Sequence, residues 1–289
     1  LVNMFEKILL PISSEFYPRN AMERCVFLAE KFGSSIKILY IIEEKTLEKA
    51  EKVSEVYRTQ YEKEETDNSM EQKYLSAADR IIFEDAKKFF DGKDIPFDGK
   101  VVKGEFSDVI KDEIERRQYD LILMGFEKGC LLHYRILENS DVPIWIESTA
   151  EGRKIILAVC SNLAPNQKVP GISIELSRKL GWELHILYVV DTQDSVEVDE
   201  MGHRSGRKSE EELISAGKNF LEEMMKKGIK GSMKKGILER ETVKAAKEIG
   251  AGLVVVGREH KKTGIVGLSF KTVKKKLVER CNYSILFVN

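Results

Sequence analysis

The sequence lacks an excess of charge of either sign: 47 Lys and Arg stand against 48 Asp and Glu in 289 residues, a formal net charge of -1. No global field therefore holds the protein on nucleic acid or an anionic membrane, and neither is expected as a partner. Long apolar runs are also missing. Ile155–Cys160 and Leu253–Val256 are among the longest, far short of the roughly 18 residues a membrane span needs, and the N-terminal stretch has no basic segment ahead of an apolar signal core. A cytoplasmic protein is the expectation. The four cysteines, Cys25, Cys130, Cys160 and Cys281, are widely scattered. Their spacing excludes a disulfide scaffold and a CxxC centre and points to buried thiols.

Histidine is equally scarce, and the pattern around each one limits the chemistry. An enzyme needs a nucleophile beside a base, a carboxylate pair or a metal cluster. His133, His185, His203 and His260 each stand alone in their segments. His185 alternates with Leu184 and Ile186 on a predicted strand, as a sheet residue does. The acidic run Glu62-Lys-Glu-Glu-Thr-Asp67 lacks the alternating oxygen ligands and turning Gly of a hard-cation loop. No catalytic residue and no metal site is assigned.

What the sequence does contain is a repeat. Lys7-Ile-Leu-Leu-Pro-Ile-Ser-Ser14 returns as Lys154-Ile-Ile-Leu-Ala-Val-Cys-Ser161, in both places a short apolar run opening into small polar residues, as a buried parallel strand does. Each copy continues with a helical pattern stopped by Gly33 or Gly181 and a second apolar run, Ile36–Ile42 or Leu184–Val190. Next come Val101-Val102-Lys103-Gly104 and Lys234-Lys235-Gly236, each before a helix, the second of which carries Val243, Ala246 and Ile249 on one face. Asp120–Gly125 and Gly252–Gly257 then lead to closing strands at Pro143–Ile146 and Ser284–Val288. Five strands alternating with helices, twice over, predict an α/β fold of two tandem doubly wound, Rossmann-like domains, each with a five-stranded, mainly parallel sheet. We place the domains at 1–149 and 150–289, long enough for two cores.

The copies differ most after their second strands. Residues 43–90 form a charged insertion with Leu47, Ala50, Val53, Val56, Tyr57 and Tyr61 near heptad spacing, which reads as a helical hairpin packed on its own domain or serving as a partner or dimer surface. In the second copy the polar stretch Asp191–Ser209 contains Gly202-His-Arg-Ser-Gly-Arg207, a loop with the composition of an anion cradle.

The strand-final Asp120-Leu-Ile-Leu-Met-Gly125 and Leu253-Val-Val-Val-Gly257, with the paired openings and the closing strands, resemble the universal stress protein family over nearly the whole chain, in tandem form. The resemblance implies a pseudo-dimer of the two domains through their closing strands. It also implies how nucleotide is held. ATP-binding members carry an Asp at the end of the first strand and Gly-x2-Gly-x9-Gly-(Ser/Thr) after the fourth, where backbone N–H groups and a helix N-terminus meet the phosphates. The adenine lies at the carboxyl ends of the strands.

Against that pattern, Ser13 and Cys160 stand where the Asp would be, and the loop after Gly125 is shorter by about ten residues. The first-domain ATP site is therefore expected to be degenerate. The second copy keeps full length, Gly257-Arg-Glu-His260-Lys-Lys-Thr-Gly264-Ile-Val-Gly267-Leu-Ser-Phe-Lys271-Thr272. The site implied for it comprises Val159, Cys160, Gly257, His260, Gly264, Gly267, Lys271 and Thr272, and its ligand would be ATP or AMP. The expected function is regulatory or sensing, with a protein partner or a homodimer as further partners. The alternatives are a slow adenine-nucleotide hydrolase, and a ligand-free scaffold that binds partners through the 43–90 hairpin.

Overall fold

The computed structural model describes residues 4–13, 18–42, 81, 88–89, 95–125, 136, 140–163, 168–192, 195–199, 205–257, 277–280 and 282–288. It divides into two compact units, Leu1–Gly125 with Gly129–Ser140, and Phe126–Lys128 with Asp141–Asn289. Both are α/β, with mostly parallel strands, as the repeat implies. The predicted hairpin over 43–90 lies outside the described residues, apart from three isolated positions.

In the first unit the chain runs β1 (Lys7–Ser13), α1 (Arg19–Phe32), β2 (Ser35–Ile42), β3 (Phe97–Lys103), α2 (Phe106–Arg116) and β4 (Leu121–Gly125). The strands lie in the order β3-β2-β1-β4 and each described pairing is parallel. The central strand β1 is buried at every position after Lys7, which is why its sequence is a continuous apolar run and not an alternation. α1 presents Ala21, Met22, Cys25, Val26, Leu28 and Ala29 inward, the stripe of an amphipathic helix. It stops at Gly33, whose φ of 70° turns the chain back into β2 while its N–H donates to the Ala29 carbonyl at 2.8 Å. Gly181 does the same in the second unit with φ 68°. A side chain at either position would be strained in this left-handed conformation.

The second unit contains β5 (Ile144–Glu147), β6 (Arg153–Ser161), α3 (Lys168–Leu180), β7 (Glu183–Asp191), α4 (Glu210–Lys226), β8 (Lys230–Gly236), α5 (Leu238–Ile249), β9 (Ala251–Gly257) and β10 (Ser284–Val288). Its strand order is β5-β10-β9-β6-β7-β8. β5 alone runs antiparallel, pairing Ile146 with Ile285, Trp145 with Leu286 and Ile144 with Phe287. The two closing strands of the sequence are thus hydrogen-bonded neighbours. A buried polar cluster fixes this pairing. The Glu147 carboxylate accepts from Trp145 Nε1 at 2.7 Å and from Ser284 Oγ at 2.9 Å.

The inward face of α5 differs from the expected one. Its buried residues are Leu238, Glu239, Thr242, Ala245 and Ala246, whereas Val243 and Ile249 are half-buried. The polar Thr242 can turn inward because its hydroxyl donates to the Leu238 carbonyl at 2.7 Å, which offsets the cost of burying it. Among the described residues no helix is long and apolar enough to cross a membrane.

Candidate functional site

In the second unit β6 lies between β7 and β9. The connection through α3 leaves β6 on one side and the connection through α5 arrives on the other, so strand order reverses at β6. A crevice opens at such a switch point, outside the carboxyl ends of the strands. Its walls come from β6 and β9. Val159 pairs with Val256, so Cys160 on β6 and Gly257 on β9 are the next residues along, at the carboxyl edge. The structure thereby brings Val159, Cys160 and Gly257 together. The other sequence-predicted residues of this site, His260, Gly264, Gly267, Lys271 and Thr272, lie outside the described residues.

Cys160 is 2% exposed, and burial pushes its thiol well above the ordinary range. A thiol in that state is neither a nucleophile nor a ready redox centre, because the reactive form is the thiolate. Its contribution at this position is shape: a small apolar floor next to Val159.

Beyond Cys160 the edge is built from two polar residues that the sequence reading did not single out. Asn162 is 1% exposed. Its Oδ1 accepts from the Asp191 N–H at 2.7 Å, and its Nδ2 donates to the Val196 carbonyl at 2.8 Å and the Asp191 carbonyl at 3.3 Å. Its own carbonyl accepts from the Val198 N–H at 2.9 Å. Asp191, at the end of β7 and also buried, accepts the N–H of Leu238, the first residue of α5, at 2.8 Å. α5 has no side-chain cap of its own from Ile237, so a carboxylate from the neighbouring strand supplies it, where the helix N-terminus favours negative charge.

This network ties the carboxyl ends of β6 and β7, the following loop and α5 into one piece. It closes the β6–β7 side of the edge. Asp191 is committed to that structure and is not a loose base or metal ligand. The only hint in the sequence is a polar residue closing the apolar run Leu187–Val190.

The polar loop after β7 is internally bonded where it is described. Ser205 Oγ accepts from the Glu197 N–H at 2.9 Å, Ser205 N–H donates to the Glu197 carbonyl at 2.8 Å, and Lys208 N–H donates to the Ser195 carbonyl at 2.7 Å. The Lys208 ammonium also meets the Glu197 carboxylate. Residues 201–204 of the expected anion cradle lie outside the described residues.

In the first unit the corresponding edge has Ser13 at the end of β1 and Gly125 at the end of β4. Ser13 is fully buried and its hydroxyl has no hydrogen-bond partner among the described residues. His185 stands toward the amino end of β7, away from the crevice, with Nε2 3.1 Å from the Glu183 carboxylate. His133 and His203 lie outside the described residues.

Among solved structures, the chain is similar to a universal stress protein from Archaeoglobus fulgidus DSM 4304, at 15% identity and a TM-score of 0.65, covering 97% of this chain and 96% of that one. It is also similar to a functionally unknown protein from Pseudomonas aeruginosa PAO1, at 13% identity and a TM-score of 0.65, covering 98% and 92%. At such identities the likeness speaks for the fold. No curated protein sequence matches the chain significantly. The model of the universal stress protein family matches twice, over residues 4–140 and 152–289. With each of its two units built on the same α/β plan and nearly its whole length accounted for by that double match, the chain belongs to the universal stress protein family.

Proposed function

We propose that the protein is a regulatory member of this family that binds an adenine nucleotide, ATP or AMP, in the second unit only. The observation that supports this most is the switch-point crevice, where Val159, Cys160 and Gly257 converge beside an edge already closed by Asn162 and Asp191. Val159 and Cys160 are small and apolar, the kind of floor on which a planar base stacks without a charged partner. The sequence after Gly257 keeps the full-length glycine-containing stretch, with Lys271 and Thr272 as the phosphate contacts, whereas the stretch after Gly125 is shortened. A sensing role is favoured over hydrolysis because Asp191, the buried carboxylate at this edge, is held by the Leu238 N–H. A regulatory protein partner or a second copy of the chain would read out occupancy.

Calorimetric titration of the full-length chain with ATP and AMP, with and without magnesium, tests this reading. The expected result is one site per chain, lost in the Lys271→Ala/Thr272→Ala double variant. Absence of binding to either nucleotide would overturn it in favour of a ligand-free scaffold. The replacement of the family's Asp by Cys160 is the observation that favours that second reading.

A further inference from the structure

At the amino ends of β1, β2 and β3, the opposite edge of the first unit's sheet from its Ser13 edge, a cleft of about 500 Å³ opens. That volume is in the range of small-molecule sites. The strand register explains which side chains meet there. Leu9 pairs with Lys37 and Lys37 with Asp98, one pleat beyond the Lys7–Ser35 pair, so Lys7, Lys37 and Asp98 share a face of the sheet. The other wall is the turn that ends α2, from Arg117 to Tyr119, and Phe97 stands at the rim, 37% exposed.

The charges in the cleft are ordered and unequal. The Lys37 side chain is only 11% exposed and pairs with Asp98. Beneath them the Glu113 carboxylate, 5% exposed, accepts from the Tyr119 hydroxyl at 2.7 Å and meets Arg117 Nε at 3.5 Å and Lys100 Nζ at 3.8 Å. Asp120 accepts the backbone N–H of Lys7 at 2.9 Å. Four cations, Lys7, Lys37, Lys100 and Arg117, thus face three carboxylates, Asp98, Glu113 and Asp120. The excess charge falls on Lys7, whose ammonium makes no ion pair among the described residues, while Arg117 uses Nε on Glu113 and retains its terminal N–H donors.

The fold does not require the β1–β4 side of this cleft, because the second unit closes the corresponding corner between β6 and β9. Leu121 pairs with Ile8 and Leu253 with Ile156, so Tyr119-Asp120 correspond to Ala251-Gly252. There the chain packs so tightly that a Cβ on Gly252 would stand 2.3 Å from the Arg153 carbonyl oxygen and 3.3 Å from the Trp182 ring. The Arg117–Tyr119 wall is particular to the first unit.

We propose that this cleft is a second binding site, for a small ligand carrying a phosphate or carboxylate group on a compact aromatic body. Lys7 and Arg117 hold the oxyanion, Lys37 with its partner Asp98 forms the floor beside them, and Tyr119 lies against the ring. The site is separate from the crevice proposed for nucleotide and stands or falls independently of it.

Calorimetric titration of the full-length chain with phenyl phosphate and with benzoate tests this, with inorganic phosphate and phenol as the probes lacking the ring and the anion. One site per chain is expected for at least one of the two aromatic anions, and the one that binds more tightly identifies the oxyanion. Lys7→Glu and Arg117→Glu should each weaken binding about 10-fold or more, since a charge-assisted hydrogen bond is lost and a like charge gained. Lys7 is exposed and makes no ion pair among the described residues, so Lys7→Glu should leave the urea midpoint unchanged, whereas Arg117→Glu, beside the buried Glu113 carboxylate, should lower it. Lys7→Gln and Arg117→Gln provide the same test without charge reversal. No saturation by about 10 mM, binding indifferent to these substitutions, or inorganic phosphate or phenol binding as tightly as the aromatic anions would overturn the proposal.

Discussion

Asn162 spends three side-chain hydrogen bonds on holding the carboxyl edge of the second unit together. Truncating it leaves buried backbone groups of Asp191 and Val196 unpaired, so Asn162→Ala should lower unfolding stability by about 2–3 kcal/mol, measured by urea denaturation. Asp191→Ala removes the cap of α5 and should cost about 1–2 kcal/mol by the same measurement. Cys160, buried with its thiol pushed up, should resist alkylation in the native protein at mildly alkaline pH and react once the chain is unfolded. Peptide mapping by mass spectrometry reads both states. Asp98 is a different case. Lys37 foremost, with a smaller contribution from Arg117, holds its carboxyl below the ordinary value of 3.8. Its contribution to stability is therefore present above that value and is lost as pH falls through the lower folded-state value. It is small, because the carboxylate is mostly exposed. An NMR titration should show Asp98 returning toward the ordinary range in Lys37→Met. At this scale the sequence was legible where function and backbone coincide. Cys160 and Gly257 could be placed at strand ends from the apolar runs alone, but Asn162 could not, because its partner Asp191 is 29 residues away and the pairing exists only once β6 and β7 are adjacent.

At the scale of elements, apolar runs, together with helical patterns stopped by Gly, were enough to find β1, β2, β6, β7 and their intervening helices. The Gly that turns α1 into β2 has its counterpart between α3 and β7. Burial on both faces makes such strands continuous in hydrophobicity, and that signal survives in a single sequence. Strand direction does not. β5 is a four-residue apolar stretch with nothing local to say that it runs antiparallel to β10. The pairing depends on Glu147, whose two acceptor bonds to Trp145 and Ser284 lie on the buried seam. Glu147→Ala should leave both donors unsatisfied and destabilise the second unit by about 2–4 kcal/mol, with a change in Trp145 emission that precedes global unfolding in urea. The buried stripe of α5 was read one step out of phase because Thr242 is polar by type and yet satisfied locally, which hydrophobic periodicity alone does not show.

At the scale of the molecule, one α/β plan occurs twice and its two copies have diverged at different edges. The second unit sets small, apolar residues at the carboxyl ends of β6 and β9, whereas the first places Lys7, Lys37 and Arg117 around a cleft at its amino edge. The repeat and the family were legible from sequence because both depend on strand-length apolar patterns. The amino-edge cleft was not, since it arises from the register among β1, β2 and β3 and from the turn after α2, where Asp120 accepts the Lys7 N–H across 113 positions of chain. Under the proposed function adenine nucleotide binds the second unit alone, and photo-crosslinking the full-length chain with an azido-adenine nucleotide, followed by mapping of the labelled peptides, reads which unit holds it. Label confined to peptides containing residues 153–163 or 251–272, and competed away by ATP, is the predicted result. Label of equal strength on peptides containing residues 7–13 or 121–125 would contradict it.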